Sequence, residues 1–223
     1  MTKDHSSKQV RALHLIAGLL VFAVMTLTLG EIAEDVRDGD PLTLTDVRFS
    51  NWLHTNSSAP LTKVMWLITS LHASVIVCTV AVLVGLYLWR RRLHFWVVAL
   101  WLSVFGGLLL NNILKLIFHR ARPHFLDAVQ SLTTYSFPSG HTMISTVFYG
   151  ALAAFVIANS KSWRLRILSV ALALTLIMLV AFSRIYLGAH YLSDVLGAMA
   201  EGFAWIALSL TGLYYFWNRN QAR

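Results

Sequence analysis

Six stretches of this chain carry no Asp, Glu, Lys or Arg and are dominated by apolar side chains: 12–30, 64–89, 93–114, 141–160, 167–183 and 202–218. A helix rises 1.5 Å per residue, so a hydrocarbon layer ~30 Å thick takes about 20 residues to cross. A helix on the surface of a soluble protein shows a polar face at every third or fourth position. Segment 75–89, VIVCTVAVLVGLYLW, shows no such face. The pattern predicts an all-α polytopic membrane bundle of six transmembrane helices. The spans fall at about 12–30, 64–89, 93–117, 141–160, 165–183 and 195–218, within a single membrane-embedded domain over 1–223. The one long connection, 31–61, is expected as an outer loop carrying a short interfacial helix near VRFSNWLH.

Composition agrees with this reading. The 223 residues are 57% hydrophobic and only 13% charged, with a mean hydropathy of +0.64, whereas soluble domains hold about 25% charged residues. The first run, preceded by Lys3, Lys8 and Arg11, also fits the start of a secretory signal. Its length, and the lack of a small-x-small site in TLTLGEIAED, favour a retained span. Cys78, the single cysteine, lies inside an apolar run with neither a disulfide partner nor a metal-ligand companion.

Charge sets the expected orientation, because Lys and Arg collect on the cytoplasmic flanks of spans. One set of connections holds Lys3, Lys8, Arg11, Arg90, Arg91, Arg92, Lys161, Arg164, Arg166, Arg219 and Arg223. The 31–61 connection holds Glu31, Glu34, Asp35, Asp38, Asp40 and Asp46. Both termini are therefore expected in the cytoplasm, with 31–61, 115–140 and 184–194 outside. The net charge of +8 then lies where anionic lipids are, so the expected partner is the bilayer and not nucleic acid. Trp89, Trp163, Tyr214, Tyr215 and Trp217 adjoin the basic residues, as an interfacial belt does. Gly106 and Gly107 fit packing within the bundle or between protomers, so oligomeric state stays open.

The chemistry lies on the outer side. Lys115, Arg122 and Arg184 each sit where an apolar span meets the surface. A lone cation there snorkels outward, but three from separate helix ends suit an anion. SFPSGH, residues 136–141, precedes a helix expected to start near Gly140. Helix N-termini offer unpaired N–H groups and partial positive charge to anions. Ser139 is expected to cap that helix, Gly140 to allow close approach, and His141 to lie on its first turn. In SRIYLGAHYLSDVLG, His190 and Asp194 stand four apart and share one face if helical. The carboxylate can then fix the imidazole tautomer, leaving the other nitrogen free as nucleophile or base.

Three patterns occur in order: Lys115, six residues, Arg122-Pro123; Pro138-Ser139-Gly140-His141; and Ser183-Arg184, five residues, His190, three residues, Asp194. Together they resemble the signature of the type 2 phosphatidic acid phosphatase family, integral-membrane lipid phosphatases related to vanadium haloperoxidases. The resemblance covers 115–194. It implies that Lys115, Arg122, Arg184, Ser139 and Gly140 bind the phosphoryl oxygens. It further implies that His190, oriented by Asp194, attacks phosphorus, and that His141 protonates the leaving oxygen. No cofactor and no metal are expected, since fixed cations supply the positive charge. The expected reaction is hydrolysis of a lipid phosphate or diphosphate at the outer or periplasmic face of the inner membrane. Undecaprenyl diphosphate, phosphatidylglycerol phosphate, phosphatidic acid and diacylglycerol diphosphate are the candidate substrates. A phosphotransferase with an acceptor lipid, a haloperoxidase and a non-catalytic transporter of anionic lipid are the alternatives. Arg37, Arg48, Lys63 and Arg120 lie outside without motif context, and His119, Arg120, His124 and Asp127 fit contact with a headgroup and a plain surface place equally well. His72 and Glu201 are intramembrane ionisable groups, with a structural role favoured for Glu201.

Overall fold

A computed structural model describes residues 2–39, 41–123 and 134–221, and among them every regular element is helical. His124 and Asp127, like Asp40 and Arg223, lie outside the described residues. The elements are α1 (Thr2–Asp38), α2 (Pro41–Thr55), α3 (Ala59–Leu71), α4 (Ser74–Arg90) and α5 (His94–Trp101). A π-helical turn (Leu102–Gly106) then leads into α6 (Gly107–Phe118), followed by α7 (Gly140–Asn159), α8 (Trp163–Tyr186) and α9 (Leu192–Gln221). Among the described residues, five helices are long and apolar enough to cross a membrane, α5 through α6 counting as one, and α3 with α4 make up to a sixth. Leu19 and Leu27 of α1, Val75 and Leu83 of α4, Leu116 of α6 and Leu172 of α8 all point outward. So broad an exposed apolar surface is unsustainable in water, and the chain is a multi-pass membrane protein.

Three expectations change. The acidic stretch after residue 30 does not end the first helix: α1 continues to Asp38 and α2 fills Pro41–Thr55. Charge ends a hydrophobic run but not a helix, because Glu and Arg are good helix formers. The run 64–89 is not one straight span, since α3 and α4 meet at 46°. His72 lies at the break. Its backbone N–H bonds the Thr69 carbonyl, its Nδ1–H donates to the Ile68 carbonyl at 2.7 Å, and its Nε2 accepts from Tyr149 Oη at 2.7 Å. The imidazole is therefore committed to the backbone and to α7. Finally, His190 does not share a helix with Asp194, because α9 begins only at Leu192.

α7 is the centre of the bundle, packed on α8 and α9, with α4, α5 and α6 on its other side and α1 laid along α9. Met143, Ile144, Val147 and Ala151 of α7 meet Val77 and Ala81 of α4, Leu100 of α5 and Ala198 of α9. A second cluster joins Leu53 of α2, Met65 of α3, Ile185 and Tyr186 near the end of α8, and Val195 of α9. At the π turn the Leu102 carbonyl accepts from Trp205 Nε1 at 3.2 Å. Gly106 and Gly107 lie against Trp205 and Met143, so this pair packs within the bundle.

Small residues let membrane helices approach closely, and Gly202 shows how closely. A Cβ there would lie 2.7 Å from Thr146 Cγ2 and 3.5 Å from the Met143 carbonyl oxygen. Gly202→Val is expected to destabilise the bundle by about 1–3 kcal/mol, as overpacking does. Thermal unfolding in detergent checks this.

Candidate active site

α8 ends in a turn that its own sequence dictates. Gly188 adopts φ 65°, a left-handed conformation natural to glycine after a helix end. The Arg184 carbonyl then accepts the N–H groups of Ala189 and His190, at 3.0 and 3.2 Å. This folds His190 back beneath the end of α8, where it is 2% exposed. Asp194, fully buried in the first turn of α9, reaches back to it: His190 Nδ1 lies 3.3 Å from Asp194 Oδ2. The same carboxylate oxygen accepts the Tyr191 N–H at 2.8 Å and the Ser136 hydroxyl.

The other ring nitrogen settles the tautomer. Arg122 Nη1 lies 3.1 Å from His190 Nε2. A guanidinium only donates, so Nε2 carries the lone pair and Nδ1 the proton. Burial pushes His190 down to about 3, with Arg184 and Arg122 acting in the same direction against the pull of Asp194. The ring is thus a neutral base at ordinary pH. Its NMR signals are expected to show the neutral Nδ1–H form throughout pH 8 to pH 5, with no titration near its ordinary value of about 6.5. A midpoint within that window would contradict the burial argument. Unfolding exposes a ring that does take up a proton there, so this group's contribution to stability falls as pH drops from about 6.5 towards 3.

The predicted cations gather around this ring. Arg122 also donates to the Ala189 carbonyl at 2.6 Å, to the Thr134 carbonyl at 2.7 Å and to the Tyr135 carbonyl at 3.1 Å, tying 134–135 to the His190 turn. Burial lowers Arg122 from its ordinary value, offset in part by Asp194, and it stays charged. Lys115 Nζ donates to the Tyr135 carbonyl at 2.9 Å. Buried Arg184 donates from Nη1 to Thr69 Oγ1 of α3 at 2.7 Å. The charges of Lys115, Arg122 and Arg184 act on one another, and those of Arg122 and Arg184 reach His141 on the first turn of α7. Cations this close repel unless an anion sits among them.

Ser139 stands at the start of α7, and its N–H bonds the Asp194 carbonyl at 3.0 Å, joining α7 to α9. Its side chain does not cap the helix as expected; its hydroxyl accepts from Thr142 Oγ1 at 3.1 Å. At Gly140 a Cβ would stand 3.3 Å from Asn111 Oδ1 and 3.8 Å from Lys115 Cε, so the bare backbone sets the approach of α7 to α6. Glu201 is buried and accepts from Asn111 Nδ2 at 2.8 Å. His119 packs edge-on against Tyr135. Among the described residues, no three His, Cys, Asp or Glu side chains stand together as a metal site would need.

Sequence reasoning passed over three residues. Ser136 bonds Asp194 as above. Arg120 donates from Nη1 to Asp194 Oδ1 at 2.6 Å and from Nη2 to Asp46 Oδ2 at 2.7 Å. Asp46, 1% exposed, is the third. Only the spacing of Arg120, two residues before Arg122, hinted at a place near the site.

Comparison with known proteins follows the same lines. The family model described as the PAP2 superfamily matches residues 96–219. Phosphatidylglycerophosphatase B of Bacillus subtilis is 36% identical over 149 residues, covering 64% of this chain and 70% of that protein. Lipid A 1-phosphatase of Rhizobium etli is 39% identical over 121 residues, covering 50% of this chain, which spans about half (47%) of that relative's length. The crystal structure of the first transmembrane PAP2 type phosphatidylglycerolphosphate phosphatase, from Bacillus subtilis, superposes with a TM-score of 0.75 at 25% identity. That alignment covers 91% of this chain and 96% of the other. With a match that takes in more than half of the chain and every gathered residue from Lys115 to Asp194, the protein belongs to the PAP2 superfamily.

Proposed function

We propose that the protein removes the terminal phosphate of a membrane lipid phosphate or diphosphate through a phosphohistidine on His190, without a metal. That it is a lipid phosphatase follows from its superfamily and from relatives named as phosphatases. The observation that carries the mechanism is the placement of the His190 ring, with Nδ1 against the Asp194 carboxylate and Nε2 against the Arg122 guanidinium. A phosphoryl oxygen that takes over this Arg122 donor brings phosphorus within reach of Nε2.

Phosphoryl transfer is mainly positioning and charge stabilisation. Lys115, Arg122 and Arg184, with the Ser139 hydroxyl and the backbone at Gly140, hold the equatorial oxygens. Nε2 of His190 forms the P–N bond as the P–O bond to the lipid breaks, and His141 gives the departing oxygen its proton. A water molecule, deprotonated by His141, then attacks the phosphohistidine, releasing phosphate and restoring Nε2. Asp194 stabilises the ring as positive charge develops on it.

The site lies at the end of the bundle where α7 and α9 begin. Arg90 and Arg91, at the end of α4, Lys161, between α7 and α8, and Arg164 and Arg166, in the first turn of α8, lie at the other end. The bias of basic residues towards the cytoplasm supports an outward or periplasmic site in the inner membrane, with both termini inside. Phosphatidylglycerol phosphate is the favoured substrate, given the similarity to phosphatidylglycerophosphatase B. Undecaprenyl diphosphate and phosphatidic acid share the same terminal group.

Purified protein in detergent, assayed for phosphate release from these three lipids, tests this reading. Turnover is expected to be unchanged by excess EDTA and highest on phosphatidylglycerol phosphate. Loss of activity in EDTA, restored by a divalent cation, would overturn metal independence. Lipid-to-lipid transfer of phosphate without release would overturn hydrolysis.

A further inference from the structure

Asp46 comes from α2, well before the residues that match the superfamily, yet it is buried against the first turn of α9. Its Oδ1 accepts the Ser193 N–H at 2.8 Å, and its Oδ2 accepts the Ser193 hydroxyl and Arg120 Nη2. A carboxylate on free N–H groups at a helix start is favourable, so Asp46 fixes where α9 begins. Arg120 then spans two buried carboxylates. Its Nη1 donates to Asp194 Oδ1 and to Ser193 Oγ, both at 2.6 Å, and its guanidinium lies 4.5 Å above the Tyr191 ring. Burial opposes the charge on Arg120, but Asp194 and Asp46 outweigh it and hold the guanidinium above its ordinary value.

The two oxygens of Asp194 are thereby divided. Oδ1 is occupied by Arg120, while Oδ2 is left to Tyr191 N–H, Ser136 and His190 Nδ1. A carboxylate that rotates offers His190 a different oxygen, or none, and Arg122 alone then opposes movement of the ring proton to Nε2. We propose that Arg120, anchored by Asp46, is a positioning residue that keeps His190 in its Nδ1–H tautomer by fixing the orientation of the Asp194 carboxylate. The consequence for turnover rests on the reading of His190 as the nucleophile given above.

Removing the cation alone strands two buried carboxylates, so Arg120→Gln is accompanied by Arg120→Lys, by Asp46→Asn and by the double variant Asp46→Asn/Arg120→Gln. Each full-length protein is compared with the wild type in detergent by three measurements: nitrogen chemical shifts of His190, kcat and KM for lipid phosphate, and thermal unfolding. In Arg120→Gln, or in the double variant if the single one does not fold, an Nε2–H population is expected. There kcat should fall by about 10- to 100-fold, the scale of lost outer-shell support, with KM little changed. Arg120→Lys is expected to restore most of kcat and the wild-type tautomer, and Asp46→Asn to show a smaller shift in the same direction. A folded variant without the cation that keeps the wild-type tautomer and kcat overturns the proposal. So does a loss confined to unfolding temperature, which marks a purely structural ion pair. A wild type that shows the Nδ1–H ring but releases no phosphate counts against the hydrolase reading alone. The tautomer change in Arg120→Gln still supports the positioning role in that case.

Discussion

His190→Ala is expected to lower phosphate release by at least about 10,000-fold, the scale on which enzymes lose activity with their nucleophile, while the protein stays folded. Folding should survive because each partner of the ring keeps others. Arg122 retains the carbonyls of Ala189, Thr134 and Tyr135. Asp194 retains Arg120, Ser136 and the Tyr191 N–H. The cation cluster also remains, so the variant should still bind orthovanadate, the phosphate-like anion, which titration calorimetry can measure. Retained binding with lost turnover separates chemistry from anion holding. If the variant kept its activity, a non-catalytic or differently catalysed function would replace the present account.

Asp194→Asn is expected to cost about 1,000- to 10,000-fold in kcat, as when the carboxylate that fixes a catalytic histidine's tautomer becomes an amide. All the neighbours of this carboxylate are donors: Arg120, the Tyr191 N–H, the Ser136 hydroxyl and His190 Nδ1–H. An amide has only one oxygen to offer them. If that oxygen goes to Arg120, the NH2 group faces His190, whose Nδ1 must then become an acceptor. The proton moves to Nε2, where it meets the Arg122 donor and removes the lone pair needed for attack. Turnover assays with matched thermal unfolding would show a fall in kcat larger than any loss of folded protein accounts for. A loss in kcat below about tenfold would mean that the carboxylate is not what sets the ring.

The membrane class and the three signature segments were legible in the chain because both rest on local pattern. An apolar run announces a span wherever it occurs, and Lys115, Arg122, Arg184, His190 and Asp194 stand at fixed offsets. What was not legible depended on partners far away in sequence. Arg120 reads as one more polar residue in HRARPH, and Asp46 as one more acid in an acid-rich segment, until folding puts 74 residues of separation into a 2.7 Å contact. The bend at His72 carries no proline, and the partner of its ring, Tyr149, lies 77 residues away on another helix. Gly188, in its left-handed conformation, follows the end of α8. Its consequence, placing His190 in a turn and not on a helix, needed the carbonyl of Arg184. Ser139 was read as a cap from its type and position, yet its hydroxyl accepts from Thr142 and makes no cap bond.

The most direct test of the central claim is to trap the covalent intermediate. Purified protein would be mixed with lipid labelled in its terminal phosphate and quenched with alkali within one turnover. The label would then be located by mass spectrometry. The expected result is a phosphoryl group on His190, stable in alkali and lost in acid, formed equally in EDTA and missing from His190→Ala. Phosphate released at the wild-type rate with no label on His190, at any time within the first turnover, would contradict it.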